Sequence, residues 1–321
     1  MIRRTRSGSM GSFMLRRTIS AALIAAVAAF AVYWWLTAPT ALALPAPTRP
    51  PDLANGQELF NAGGCSSCHA VPNQPDRLKL GGGLALGSPF GTFYAPNISP
   101  DAADGIGRWS EADFVNAVMR GISPEGTHYF PAFPYTSYHI AKVDDVRDLF
   151  AYLKTLPQVA GRVRDHDLPF PFNIRRNVGI WKLLFMDVRP FVPAAMHPAQ
   201  WNRGAYLVNG FGHCAECHSP RNVLGGVIGS QRFAGGPNPE GEGWVPNITQ
   251  KGLGDWSEKD IADFLETGDM PEGDSASGAM RPVIKNLAQL RPEDRAAMAA
   301  YLKSLPPVDG PTPPKRKEGG G

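Results

Sequence analysis

The chain is poor in cysteine, modest in charge and lacks any long run of alternating apolar residues. Only 4 of its 321 residues are cysteine. They fall as two pairs, Cys65 with Cys68 and Cys214 with Cys217, so no thiol is left over for a disulfide framework. Charged residues make up 19% of the chain and the formal net charge is +3, too small an excess for a nucleic-acid binder. The missing alternation excludes an extensive sheet. No serine, histidine and aspartate grouping suggests nucleophilic catalysis. What is abundant is 35 glycines and 31 prolines, which imply many turns and loops, and a hydrophobic content of 43%, enough for packed cores. The length allows two ordinary domains.

Arg3, Arg4, Arg6, Arg16 and Arg17 precede an uncharged run from Thr18 to Thr48, densest between Ile19 and Leu36. That run approaches the roughly 20 residues that span a bilayer. Arginines before an apolar run stay in the cytoplasm, which places the rest of the chain on the far side. Residues 1–38 are therefore read as a cytoplasmic lead and a single transmembrane anchor of a bacterial inner membrane, with the following domains in the periplasm. Ala41-Leu42-Ala43 also resembles a signal-peptide cleavage site, but Tyr33, Trp34 and Trp35 sit where an interfacial aromatic belt belongs, which favours retention. Residues 39–51 carry Pro39, Pro45, Pro47, Pro50 and Pro51 and read as a stalk holding the next domain off the lipid.

The remainder contains a repeat. Cys65-Ser66-Ser67-Cys68-His69, Pro96-Asn97-Ile98, Trp109-Ser110-Glu111 and Ala151-Tyr152-Leu153-Lys154 recur in the same order as Cys214-Ala215-Glu216-Cys217-His218, Pro246-Asn247-Ile248, Trp256-Ser257-Glu258 and Ala300-Tyr301-Leu302-Lys303. Two copies of one domain follow, at 52–157 and 199–306, rather than a solenoid of short repeats. Ser110 with Asp113 and Ser257 with Asp260 are capping pairs for helix starts. Val143, Val146, Leu149, Phe150 and Leu153 recur at helical period, and Pro292 suits a first helical position. The class is mostly α: two tandem domains after an amino-terminal transmembrane helix. Gly81 to Gly87 reads as a flexible loop. Residues 158–198 form an apolar connector that should pack along both domains, with Trp181 to Phe185 a possible contact for a membrane or a partner. His166 and His197 are read as surface residues, and 307–321 as a disordered tail.

A Cys-x-x-Cys pair alone fits a redox dithiol, half a zinc site or a haem attachment point. A thioredoxin-like setting needs a βαβ unit, and a zinc ribbon needs its second pair about 15–20 residues on. The adjacent histidine fits covalent haem c: two sulfurs bond the porphyrin and the next side chain reaches the iron. Cys65, Cys68, Cys214 and Cys217 are thus the attachment residues for two covalently bound haem c groups, and His69 and His218 the proximal iron ligands.

On these motifs the chain resembles the class I cytochromes c, in particular the membrane-bound multi-haem cytochrome subunits of bacterial periplasmic alcohol and gluconate dehydrogenases. Those commonly carry three haems, so this chain is similar to a shorter relative. The resemblance implies an amino-terminal helix packed across a carboxy-terminal one, matched by Gly56 and Phe60 against Leu149 and Tyr152, and by Gly204 and Leu207 against Tyr301. It also implies a distal methionine at Met280 for the second haem, with Met270 the alternative. In the first domain Phe133 stands where the family often has methionine, and phenylalanine cannot bind iron. Met119, His128 and His139 are the nearby residues able to serve, His139 and Met119 ahead of His128; an open or water-filled iron is the other outcome. Trp109, Trp256, Asn97 and Asn247 could bond haem propionates or simply pack, and His213 should lie near a haem edge.

The expected role is a single-electron relay rather than an enzyme. Its expected donor is a periplasmic dehydrogenase or another respiratory, quinol-linked source; its acceptor is a soluble cytochrome or a terminal oxidase. The competing expectation is a haem enzyme whose open first iron reduces peroxide or binds a gas.

Overall fold

The computed structural model describes residues 9–241 and 243–314. Arg3, Arg4, Arg6 and the Lys315-Arg316-Lys317 cluster lie outside them. A long helix, α1 (Ser9–Leu36), leads into domain 1, built from α2 (Leu53–Ala62), α3 (Cys65–His69), the hairpin β1 (Ala85–Ser88) and β2 (Gly91–Tyr94), α4 (Glu111–Arg120), α5 (Tyr135–Tyr138) and α6 (Val143–Leu153). The connector carries α7 (Val178–Phe185). Domain 2 follows with α8 (Ala199–Asn209), α9 (Cys214–Cys217), the short hairpin β3 (Gly236–Pro237) and β4 (Trp244–Val245), α10 (Gln250–Leu253), α11 (Glu258–Thr267), α12 (Met280–Leu287) and α13 (Pro292–Lys303).

Each domain is organised by a crossing of its first and last helices, α2 on α6 and α8 on α13. The crossings are close enough to exclude any side chain: a Cβ on Gly56 would lie 2.2 Å from the Asp148 carbonyl oxygen, and one on Gly204 would lie 1.8 Å from that of Ala297. Phe60 and Tyr152 meet at 5.5 Å between ring centroids beside the first crossing. α4 and α11 start on complete capping boxes, Ser110 with Asp113 and Ser257 with Asp260, as their sequences require. Their apolar faces join one contiguous cluster of buried side chains that runs from Leu59 and Val146 through Tyr138, Tyr206 and Phe211 to Met298. Because that core is shared, the two domains have a fixed relative placement.

Four expectations change. The Pro-rich segment 39–51 does not stand clear as a stalk. Leu42 and Leu44 pack on the core, the Leu42 amide bonds Asn116 Oδ1 at 2.6 Å, Arg147 bonds the Pro45 carbonyl, and Arg49 pairs with Asp148. Proline restricts this backbone, but the charge pairs and leucines decide where it lies. The glycine run is no flexible loop: Gly82, at φ 72, donates its amide to the His69 carbonyl at 2.8 Å and packs so tightly that a Cβ would lie 2.4 Å from the Ala95 carbonyl oxygen. It then enters β1. His166 is half-buried, accepting the Tyr94 amide at 3.1 Å and edge-on to Phe93 and Phe130. The start of the tail is held, with the Asn247 amide group donating to the Val308 carbonyl at 2.8 Å and Thr249 Oγ1 accepting the Val308 amide at 3.2 Å.

Candidate haem centres

Each attachment motif folds as a single helical turn entered through a left-handed residue, Gly64 (φ 58) before α3 and His213 (φ 37) before α9. A helical turn puts positions i and i+3 on one side, so both sulfurs face the same way with the histidine next in line. The His69 ring donates Nδ1–H to the Pro96 carbonyl at 2.8 Å, and His218 does the same to Pro246 at 2.8 Å. That bond fixes the tautomer and leaves Nε2 with a free lone pair, the state a metal ligand needs. Burial pushes both imidazoles below the ordinary histidine range, against the pull of the carbonyls. The backbone is pinned from behind: Gly82 and Gly235 each donate an amide to the carbonyl of the adjacent proximal histidine at 2.8 Å.

These turns fit covalent haem and not the other two readings. As free thiols, Cys65 and Cys217 are pushed by burial up to about 12, and Cys68 and Cys214 up to about 11, the opposite of an activated dithiol. Among the described residues no three His, Cys, Asp or Glu side chains converge as a zinc site requires. Two paired sulfurs beside an imidazole with a free Nε2, twice over, match the donor set of haem c.

The residues expected as distal ligands lie in different settings. In domain 2, Met280 opens α12 half-buried, and α12 is tied to Ser67 of α3, which accepts from Asn286 Nδ2 at 2.6 Å and donates to the Pro282 carbonyl at 3.2 Å. Met270 lies in a tight turn, its amide bonded to the Asp274 carbonyl at 2.8 Å, beside Glu272, which accepts Trp256 Nε1–H at 3.0 Å. In domain 1, Phe133 is edge-on to Tyr129, Tyr135 and Tyr138 at 6.0, 6.2 and 5.9 Å. Met119 is buried in the last turn of α4 within the core. His139 turns Nδ1 to the Thr136 carbonyl at 2.9 Å and is pushed down by burial, with Asp187, Arg120 and Arg232 as its charged neighbours. His128 turns Nε2 to the Thr37 carbonyl at the end of α1, at 2.9 Å, which leaves its buried Nδ1 without a hydrogen-bond partner.

Each attachment turn also packs on the other domain. Ser66 Oγ donates to Asn286 Oδ1 at 2.8 Å, and Asn286 Nδ2 donates to Ser67 Oγ at 2.6 Å, joining α3 to α12. Reciprocally, Glu216 of α9 accepts Thr136 and Ser137 hydroxyls from α5 at 2.8 and 2.9 Å while paired with Arg221 at 2.7 Å. Burial alone would raise the Glu216 carboxyl, but Arg221 and the two hydroxyls hold it below the ordinary range. Between the turns, His213 Nε2 bonds the Gly63 carbonyl at 3.3 Å and its ring lies 5.8 Å from that of Tyr138.

The side-chain amides of Asn97 and Asn247 are taken up by backbone carbonyls. Asn97 donates to the Val159 and Gly161 carbonyls and Asn247 to that of Val308, so both latch the segment after the last helix of their domain. The Pro96 and Pro246 carbonyls and the Gly82 and Gly235 amides were not assigned from sequence. The recurrence of Pro-Asn-Ile was the available signal for the prolines.

The cytochrome c family model matches residues 53–157 and again 202–306. A "Diheme cytochrome c-type" protein of Cereibacter sphaeroides is 47% identical over 305 residues, covering 92% of this chain and 100% of that protein. The fructose dehydrogenase cytochrome subunit of Gluconobacter japonicus is 38% identical over 268 residues (82% of this chain, 54% of that one), and the gluconate 2-dehydrogenase cytochrome c subunit of Pantoea cypripedii 37% over 263 (78% and 58%). The chain thus spans little more than half the length of these dehydrogenase subunits.

Proposed function

Because the chain belongs to the cytochrome c family, with two tandem domains carrying two covalently bound c-type haems, we propose that it is a membrane-anchored relay. It takes single electrons from a periplasmic dehydrogenase or quinol-linked donor and passes them to a soluble cytochrome or terminal oxidase. Electron transfer is the role its relatives' names support. The haems, when bound, supply reversible one-electron chemistry.

The chain's own residues set where and how. His69 and His218, each held by a proline carbonyl, hold iron from the proximal side. Met280 would hold the second iron from the other side, where a thioether donor raises the potential. Domain 1 offers His139 or Met119 in the equivalent role, with Phe133 and its three tyrosines excluding water from that face. α1 is the anchor: Phe13–Leu36 is long and apolar enough to cross a membrane. The haem domains then lie on the periplasmic side.

The observation that carries the relay is the interface between the attachment turns. Gly63 and His213, one residue or two from the first cysteine of each motif, are in direct contact, so an electron passes between domains without either one moving. The test is respiration. A deletion strain should lose oxygen uptake driven by the substrate of its cognate periplasmic dehydrogenase and regain it with this chain, but not with Cys214→Ala/Cys217→Ala. Unchanged uptake on every such substrate would remove the proposal.

A further inference from the structure

We propose that the connector makes a second membrane contact. The bare stripe of α7, the turn at residues 169–174 and the loop at 222–226 of domain 2 rest in the outer boundary of the bilayer that α1 crosses. This rests on the reading of α1 as a membrane span.

α7 is apolar on both sides. One side is used: Val178 is buried, Gly179 packs on Thr37 with room for no Cβ (2.7 Å from Thr37 Cβ), and Trp181 Nε1–H donates to the Leu224 carbonyl at 2.8 Å. The helix's one cation, Lys182, points inward, bonding the Arg120 and Gly121 carbonyls and lying 4.5 Å from the Tyr135 ring centroid. The other side carries Ile180, Leu183 and Leu184, spaced i, i+3, i+4 and exposed by 43, 61 and 60%. A helix that hides its charge and bares its leucines is inverted for water but suited to a lipid boundary. Phe170 (78% exposed) in the neighbouring turn and Val223 (93%) and Leu224 (52%) in the domain 2 loop add to the face. Gly226 backs onto Phe185 of α7 and Gly225 onto Phe90, which stacks edge-on with Phe172.

The height of this face follows from α1. Its uncharged stretch from Thr18 to Leu36 rises about 28 Å at 1.5 Å per residue, close to the roughly 30 Å hydrocarbon core. Tyr33 to Thr37 therefore lie at the far boundary. There the connector is fastened: Tyr33 Oη donates to Asn177 Oδ1 at 3.0 Å, and Arg176 donates to Thr37 Oγ1 at 2.8 Å and to the Trp34 carbonyl while lying over the Trp34 ring. α7 starts at the next residue, so it emerges at headgroup depth. Trp34 and Trp35 are themselves exposed, and any protein covering α7 would have to displace the lipid around them. Lipid is the occupant that the anchor already brings.

The full-length holoprotein, in nanodiscs of phosphatidylethanolamine and phosphatidylglycerol doped with a diazirine-bearing phospholipid, is irradiated, digested and mapped. Adducts are expected on α7 and on the 169–174 or 222–226 segment as well as on α1. Leu183→Glu/Leu184→Glu should lower the α7 adducts by about tenfold, because a carboxylate resists transfer toward hydrocarbon, with the α1 adducts and both haem spectra unchanged. Leu183→Ser/Leu184→Ser gives the same direction should the charged pair fold poorly. Adducts on α1 with none on α7 overturn the proposal and spare the anchor; none on either removes the anchor reading as well. A second copy of the chain covering the patch would leave α7 unlabelled and the protein dimeric in detergent, which also overturns it.

Discussion

Domain 1 and domain 2 share the attachment turn, the proline carbonyl behind the histidine, the asparagine latch and the glycine at the helix crossing, and part company at the residues proposed as distal. Domain 2 starts α12 with a thioether at Met280, while domain 1 has Phe133 among three tyrosines at the position proposed as equivalent. The proximal half is covalent chemistry with one workable geometry. The distal half needs only a donor or a shield, so it tolerates more than one solution. With the proposed distal residues, two similar folds would hold unlike irons and so give a potential difference along a fixed path, which a relay can use.

Exchanging the distal residues should break the comparison most visibly. Met280→Ala should lower the potential of the second haem by on the order of 0.1–0.2 V, within the roughly 0.8 V that axial ligation covers, and open it to carbon monoxide. Phe133→Met should move the first haem the other way. Spectroelectrochemical titration of each variant reads both haems at once, and a shift confined to the wrong haem in either variant would refute the ligand assignment.

The helix crossings test whether the domains are equally tight. A methyl group at Gly204 meets backbone oxygen at 1.8 Å and one at Gly56 at 2.2 Å. Overpacking of that kind costs about 1–3 kcal/mol or more. Gly204→Ala should therefore destabilise more than Gly56→Ala in thermal melts of the holoprotein, and equal melting temperatures would argue that one crossing relaxes.

At the interface the two reciprocal contacts are unlike: Asn286 with Ser66 and Ser67 is neutral, while Glu216 with Thr136, Ser137 and Arg221 is charged. Removing one partner of a buried pair costs about 3–5 kcal/mol, whereas a neutral hydrogen bond nets about 1 kcal/mol. Glu216→Ala should loosen the domains more than Asn286→Ala, seen as faster cleavage of the connector in limited proteolysis; the reverse order would make the neutral contact the stronger clamp.

Sequence reading went as far as contiguous chemistry goes. Cys-x-x-Cys-His must be consecutive to reach one porphyrin, capping boxes span four residues, and Gly56 and Gly204 stand at repeat-equivalent sites, so all were legible. The bond from Ser66 to Asn286 joins residues 220 apart and has no periodic signature. The same holds for Arg49 on Asp148, which turned an expected stalk into a strap, and for Asn97 and Asn247, whose repeated positions could be seen but not their backbone partners. Gly82 was misread because a glycine needed for a positive φ at a tight contact is written like one in a loose loop.

The smallest effect concerns acid, and here the strap of domain 1 and the charge cluster between the domains carry opposite signs. Burial would raise the Asp148 carboxyl, but Arg49, Asn55 and the Asp52 amide together hold it below its ordinary value of 3.8. A depressed folded-state value means stability present above about pH 4 and lost as the pH falls through that lower value. Glu58 is the reverse: burial first, and then Asp294, hold it above 4.5, against the Arg291 amide and charge. Its ionisation costs the folded state at neutral pH, and that cost disappears on acidification. Asp148→Asn should thus melt lower than the parent at pH 7, by a few degrees at roughly 2–4 °C per kcal/mol, and the gap should narrow as the pH falls below 3.8 and close below the lowered value. Glu58→Gln should melt slightly higher at pH 7 and converge once Glu58 is protonated, at and below about pH 4.5. Melting differences that stay constant from pH 7 to pH 3 in both variants would show that neither carboxyl titrates differently in the folded chain, and the strap would then be held by packing of Leu42 and Leu44 and by the bonds of Asn116 and Arg147 to its backbone.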